Sequence, residues 1–186
     1  MPTYISLLRG INVGGHKKIP MKDLKTLYES AGFTNVKTYI QSGNVIFDSR
    51  SNNIPRINTN IEKAIADSFG FPVTVITRLA DDLGKIIKRN PFVGQDRIDE
   101  KHLFVVFLGA KPSTAAVKEL LIHPVKTRDE LRVSGLEVFV HCPDGYGQTP
   151  YTNLFFEKKL KVAATARNWR TTTTLYAMAA GADGKG

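Results

Sequence analysis

At 186 residues with 42% apolar composition, the chain can form one medium domain or two small ones, each with a core. The net charge of +9 suits anionic partners or solubility alone, and leans to the first half: residues 1–90 carry +6 (13 basic, 7 acidic) and residues 91–186 carry +3 (13 basic, 10 acidic). One cysteine, Cys142, excludes an internal disulfide, and no apolar run approaches the ~20 residues of a membrane span.

The opening Met1-Pro2-Thr3-Tyr4 lacks the basic-then-apolar pattern of a secretory signal. A cytoplasmic protein with no membrane partner is therefore expected. Tyr4–Leu8 is a short apolar run that reads as a buried strand. A loop over Gly10–Ile19 follows. Pro20 suits the first turn of a helix, where its missing N–H costs nothing. Met21, Leu24, Leu27, Tyr28 and Ala31 then recur at helical spacing. Gly32 fits the left-handed position past the helix end, with Phe33 folding back. Val36–Gln41 and Asn44–Asp48 read as a hairpin about Ser42-Gly43. Ile57, Ile61, Ala64, Ile65 and Phe69 mark a second helix, closed by Gly70-Phe71, and Val73–Thr77 is a fourth strand. The order β-α-β-β-α-β is the split, ferredoxin-like motif.

Leu79–Arg89 reads as a connecting helix stopped before Pro91, and 90–101 is polar. The pattern then restarts. His102–Leu108 is a strand, Pro112–Ile122 a helix, Val125–Val133 and Leu136–His141 a hairpin about Ser134-Gly135. A helix starts at Thr149-Pro150 and runs to about Leu160. Thr171–Thr174 favours strand by propensity but also suits the start of a short helix through Leu175, Met178 and Ala179. Residues 180–186 are expected to be a disordered tail. The fold class expected is α+β: two tandem ferredoxin-like βαββαβ units with antiparallel sheets, the second less regular. Their expected bounds are 1–78 and 101–186, joined by 79–100.

In a βαββαβ unit the loop after the first strand and the hairpin between the second and third strands share one edge of the sheet. Here those are Arg9–Lys18 and Gln41–Asn44. Gly10, Gly14 and Gly15 permit positive φ and close approach of backbone N–H groups to an anion. Arg9 offers a planar guanidinium, and Lys17 and Lys18 add charge. Asn12, Gln41, Ser42 and Asn44 supply neutral donors and acceptors. The alternative for each residue taken singly is turn chemistry: glycine for φ, Asn and Ser for local backbone bonds. The stretch Gly10–Lys18 has the G-x-x-x-x-G spacing of a P-loop, but His16 and Lys17 stand where that motif needs Lys then Ser or Thr. A P-loop NTPase is rejected; anion binding is not.

Three segments, Leu8–Gly15, Thr38–Asn44 and Thr165–Trp169, carry a further signal. Together they resemble the bacterial domain-of-unknown-function family 1697 over about residues 1–180. The resemblance implies tandem ferredoxin-like units, a cytosolic protein and a helix over Thr171–Ala179. It implies no activity, because the family has none established. It adds Arg167, Asn168 and Trp169 as candidate companions to the two loops; for Trp169 the competing reading is ordinary core packing.

His16, His102, His123 and His141 are scattered, so no metal site is expected, and no cofactor motif is complete. Ser42 is read as a turn residue rather than as a nucleophile with His16 as base. The leading expectation is a binding module for an anionic ligand, nucleic acid first, since RNA-recognition motifs share the ferredoxin-like sheet. Tyr4 and Tyr39 are candidates for base stacking. The alternatives are an enzyme or sensor for a small phosphorylated or carboxylated metabolite held between the loops and Arg167–Trp169, and a protein-interaction module or homodimer. An open basic sheet face favours nucleic acid; a closed pocket favours the metabolite.

Overall fold

A computed structural model of the chain describes residues 1–122 and 125–181. The chain divides into two compact units, Met1–Lys85 with the segment from Thr174 onward, and Ile86–Thr173. The first contains β1 (Thr3–Leu8), α1 (Met21–Ser30), β2 (Thr34–Tyr39), β3 (Asn44–Asp48), α2 (Ile54–Phe69) and β4 (Val75–Leu79). Its sheet runs in the order β2-β3-β1-β4, with every neighbouring pair antiparallel.

Alternation along the strands sends Tyr4 and Leu8 of β1, Val45 and Phe47 of β3 and Val75 of β4 into one core with Leu24, Tyr28, Ile57, Ile61 and Ile65 of the helices. Ile5, Leu7, Ile46 and Ile76 point to the opposite face and are buried as well. Both helix exits use glycine as expected. Gly32 (φ +88°) turns the chain so that Phe33 packs on Phe47 at 4.6 Å, and Gly70 (φ +80°) caps α2. At the other end of α2 the Asn53 side chain accepts from the Arg56 N–H at 2.9 Å.

The helix α3 (Ala80–Lys88) carries the chain into the second unit. There β5 (Leu103–Leu108), α4 (Thr114–Ile122), β6 (Glu130–Ser134), β7 (Glu137–His141), α5 (Asn153–Leu160) and β8 (Ala164–Asn168) follow, and α6 (Trp169–Ala179) leads back. The sheet order is β6-β7-β5-β8, again antiparallel throughout.

Several boundaries depart from the pattern reading. β6 starts at Glu130 rather than Val125, because 126–129 is polar turn in which Asp129 accepts a hydrogen bond from the Thr149 hydroxyl. α5 starts at Asn153, capped by Thr152, rather than at Thr149-Pro150. The strand β8 was hidden by its alanines; its ladder with β5, from Phe104–Asn168 to Leu108–Ala164, overrides their weak strand preference. Thr171–Thr174 is helical. The Thr172 and Thr173 hydroxyls bond back to the carbonyls of Asn168 (3.0 Å) and Trp169 (3.1 Å), which satisfies them inside the helix. Of the expected tail, Ala180 and Gly181 close α6, with Ala180 N–H on the Tyr176 carbonyl at 2.9 Å, and 182–186 lie outside the described residues.

Residues 89–100 form a strap over β6 and β7. Arg89 pairs with the buried Glu137, Arg97 grips Glu130 with both nitrogens (2.7 and 3.1 Å), and the Phe92 ring packs near both the Arg132 guanidinium and the His141 ring. The hydrogen bond from Arg97 holds the Glu130 carboxyl below the usual carboxylate range, helped by His141 and opposed by desolvation. A lowered carboxylate pKa stabilises the fold above the ordinary glutamate value of about 4.3, and that stabilisation is lost as pH falls through the lowered value. Hydrogen-exchange protection of the strap amides, corrected for intrinsic rate, should therefore fall below pH about 4. In Glu130→Gln it should be weaker near Arg97 and should lose part of this pH dependence, the rest coming from Asp99, which Lys101 also holds low.

Candidate loop site at one edge of the first sheet

β1 ends at Leu8, and its last bonds reach both neighbours. Leu8 N–H donates to the Gly43 carbonyl at 2.8 Å, and Arg9 N–H to the Thr74 carbonyl at 2.9 Å. The loop that follows is a small hairpin. His16 N–H bonds the Val13 carbonyl at 3.0 Å across Gly14 (φ +57°) and Gly15 (φ +79°). Two successive positive φ values with this closing bond describe a type I′ turn, which accounts for the glycine pair without a ligand.

Asn12 organises the loop. Its Nδ2 donates to the carbonyls of Ile19 (3.0 Å) and Gln41 (2.8 Å), its Oδ1 accepts from Ile19 N–H (2.8 Å), and its own N–H bonds the Lys17 carbonyl (3.1 Å). One side chain thus closes the base of the loop and ties it to the β2–β3 turn. Asn12 sits at φ +55°, a region Asn tolerates better than most residues. Ile11 points inward and is buried under the turn. A Cβ added to Gly43 would lie 2.8 Å from both Ile11 Cδ1 and Leu8 Cβ, so only glycine fits, and its φ of +76° suits glycine too.

The expected meeting of Arg9–Lys18 with Gln41–Asn44 is therefore present. The edge also has a third member the pattern reading missed: Lys17 Nζ donates to the Pro72 carbonyl at 2.7 Å, in the segment leading into β4. The topology alone predicts that neighbour, since an antiparallel β4 must begin where β1 ends.

The predicted residues separate by what they touch. Residues 13–18, with Gly14, Gly15, Lys17 and Lys18, face solvent, as does Gln41, while Arg9, Gly10, Tyr39 and Ser42 are half-buried. Asn44 is fully buried, and its Nδ2 spans the turn to the Tyr39 carbonyl and Ser42 Oγ, both at 3.0 Å. Asn12 and Asn44 thus serve the loops themselves. Tyr4 stacks on Phe47 inside the helix-facing core, so it offers no open ring face.

Arg167, Asn168 and Trp169 belong to the second unit. Asn168 caps α6 through Thr171 N–H at 2.7 Å, and Trp169 is buried with its indole N–H on Glu100 at 3.1 Å. Arg167 is buried, with Nη1 donating to Thr165 Oγ1 and the Ala166 carbonyl, both at 2.8 Å. Burial pushes its guanidinium down to about 10, against the opposing effect of Tyr146. Arg78 holds the matching register position in the first sheet, opposite Ile5 as Arg167 is opposite Val105, and it too is buried and donates to the preceding carbonyl. The motif reading singled out only one of this pair; the register shows both.

Two substitutions test the architecture. Gly43→Ala combines overpacking with left-handed strain and should cost about 2–4 kcal/mol in denaturant unfolding. Asn12→Ala should cost about 1–3 kcal/mol, with exchange protection lost first at the Ile19 amide.

No helix among the described residues is long and apolar enough to cross a membrane. No curated protein matches the chain. Among solved structures, a conserved bacterial protein from Streptococcus pneumoniae superposes with a TM-score of 0.76 at 22% identity, covering 96% of this chain and 98% of that one. That likeness concerns the fold. The match to a family reaches over residues 1–139 and takes in β1, the clasped loop and the β2–β3 turn: the chain belongs to the family described as Protein of unknown function (DUF1697).

Proposed function

We propose that the chain is a cytoplasmic binding module for an anionic ligand, nucleic acid first, and that loops 9–18 and 41–44 are its working surface. The finer reading of the fold, two tandem ferredoxin-like βαββαβ units over 1–78 and 101–186, rests on the identical element and strand orders of the two sheets. That equivalence supplies the observation that carries the functional reading. In the second unit the connection from β5 to α4 needs only residues 109–113, whereas the matching connection from β1 to α1 runs from 9 to 20. The first unit thus carries extra chain at one loop, and that extra chain holds Lys17 and Lys18 on a clasped hairpin beside Arg9. Long loops on a rigid scaffold are where binding residues concentrate.

Contact through the loops replaces contact through the sheet. An RNA-binding sheet presents open ring faces, whereas the face of β1, β3 and β4 opposite α1 and α2 carries Ile5, Leu7, Ile46 and Ile76, all buried and closed to a strand of bases.

Fluorescence anisotropy with labelled DNA and RNA oligonucleotides, titrated with salt, tests the reading. Binding should weaken linearly on a log–log plot as salt rises. Arg9→Ala and Lys17→Ala should each lower the affinity and reduce the salt slope by about one. No binding of any polyanion at low salt sinks the proposal.

A further inference from the structure

We infer that these loops take single-stranded nucleic acid, with phosphates on the lysines and unstacked bases against Val13 and Ile40. The inference rests on the anion-binding reading of the same loops and names its ligand.

Val13 is 64% exposed and Ile40 50% exposed. With Met1 they are the exposed large apolar side chains among the described residues of the first unit. Both lie at this edge. The bond from Asn12 Nδ2 to the Gln41 carbonyl joins the two segments right beside them, since Val13 follows Asn12 and Ile40 precedes Gln41. Lys17 and Lys18 stand on the returning arm of the hairpin that Val13 starts. Apolar and cationic side chains are therefore interleaved over a short span.

Ile40 carries a second mark. Its φ is +49°, where a β-branched residue is strained and Asn or Gly is at ease. A turn valued only for its shape has no use for a strained aliphatic that is also half exposed. Strain of this kind persists at ligand clamps.

The ligand must match both chemistries. A phosphate or a small acid has no apolar surface to cover Val13 and Ile40. A duplex offers phosphates but keeps its base faces stacked. A single strand presents a charged backbone and open base faces on successive nucleotides, and such faces are bound with little regard to sequence.

The experiment compares a labelled oligothymidylate, a duplex of equal length and inorganic polyphosphate against the wild type, Val13→Ser, Ile40→Asn and the double variant. Asn suits the left-handed position, so Ile40→Asn should fold; melting curves check each variant. The single strand should bind more tightly than the duplex at equal salt. The double variant should lose about tenfold for the single strand, the effect of uncovering about 50 Å² of apolar contact, with its salt slope and its polyphosphate affinity unchanged. Equal binding of strand and duplex, or a double variant that binds the strand like wild type, overturns the single-strand assignment and leaves the anion reading standing. Failure of all three probes at low salt removes both. Binding to phosphatidylserine vesicles through Val13 and Ile40, with no oligonucleotide bound, also overturns it. If the double variant does not fold, the wild-type comparison of strand with duplex decides.

Discussion

The central position of β1, hydrogen-bonded to β3 on one side and β4 on the other, constrains everything else in the first unit. A strand paired antiparallel on both sides must end where both partners have their turn or their start. The loop leaving β1 therefore meets the β2–β3 turn and the entry to β4 with no further instruction. Burial of β1 side chains on both faces makes a slip of one residue costly, because it would exchange the Tyr4 and Leu8 side for the Ile5 and Leu7 side.

Much of this was legible because it depends on periodicity and on two glycine exits. The apolar spacing of α1 and α2, with Gly32-Phe33 and Gly70-Phe71 after them, is local information. β8 was not legible, since Ala164–Asn168 has no strand signal of its own and gains its structure from β5. For Thr171–Thr174 the residues left strand and helix open: four β-branched residues favour strand by propensity, and in the structure two of their hydroxyls meet helix carbonyls. Contacts across the sheet decide the first case, and hydrogen bonds to carbonyls four residues back in the chain accompany the second.

At the candidate site the sequence located the edge but not the division of labour. Asn12, Asn44 and Asn168 are all of a type that either binds ligands or shapes turns, and type alone does not separate the two uses. Hydrogen-bond partners do. Each of the three bonds local backbone, while Lys18 and the apolar tips face outward and Lys17, though exposed, reaches the Pro72 carbonyl. Gly43 shows the same limit. Its positive φ was foreseeable from the turn, but the pressure of Ile11 and Leu8 on its missing Cβ needed three dimensions.

The Asn12 clasp has a consequence for how such a protein changes over time. Because one amide seals the loop at its base, through Ile19 and Gln41, and the Gly14-Gly15 pair turns its tip, the path of the hairpin rests on these residues and not on the side chains of Val13, His16 or Lys18. The tip is thus uncoupled from the core. Under the proposed function, substitutions at Val13, His16 or Lys18 would retune recognition without renegotiating the fold, so that a new specificity could be grafted onto an unaltered frame.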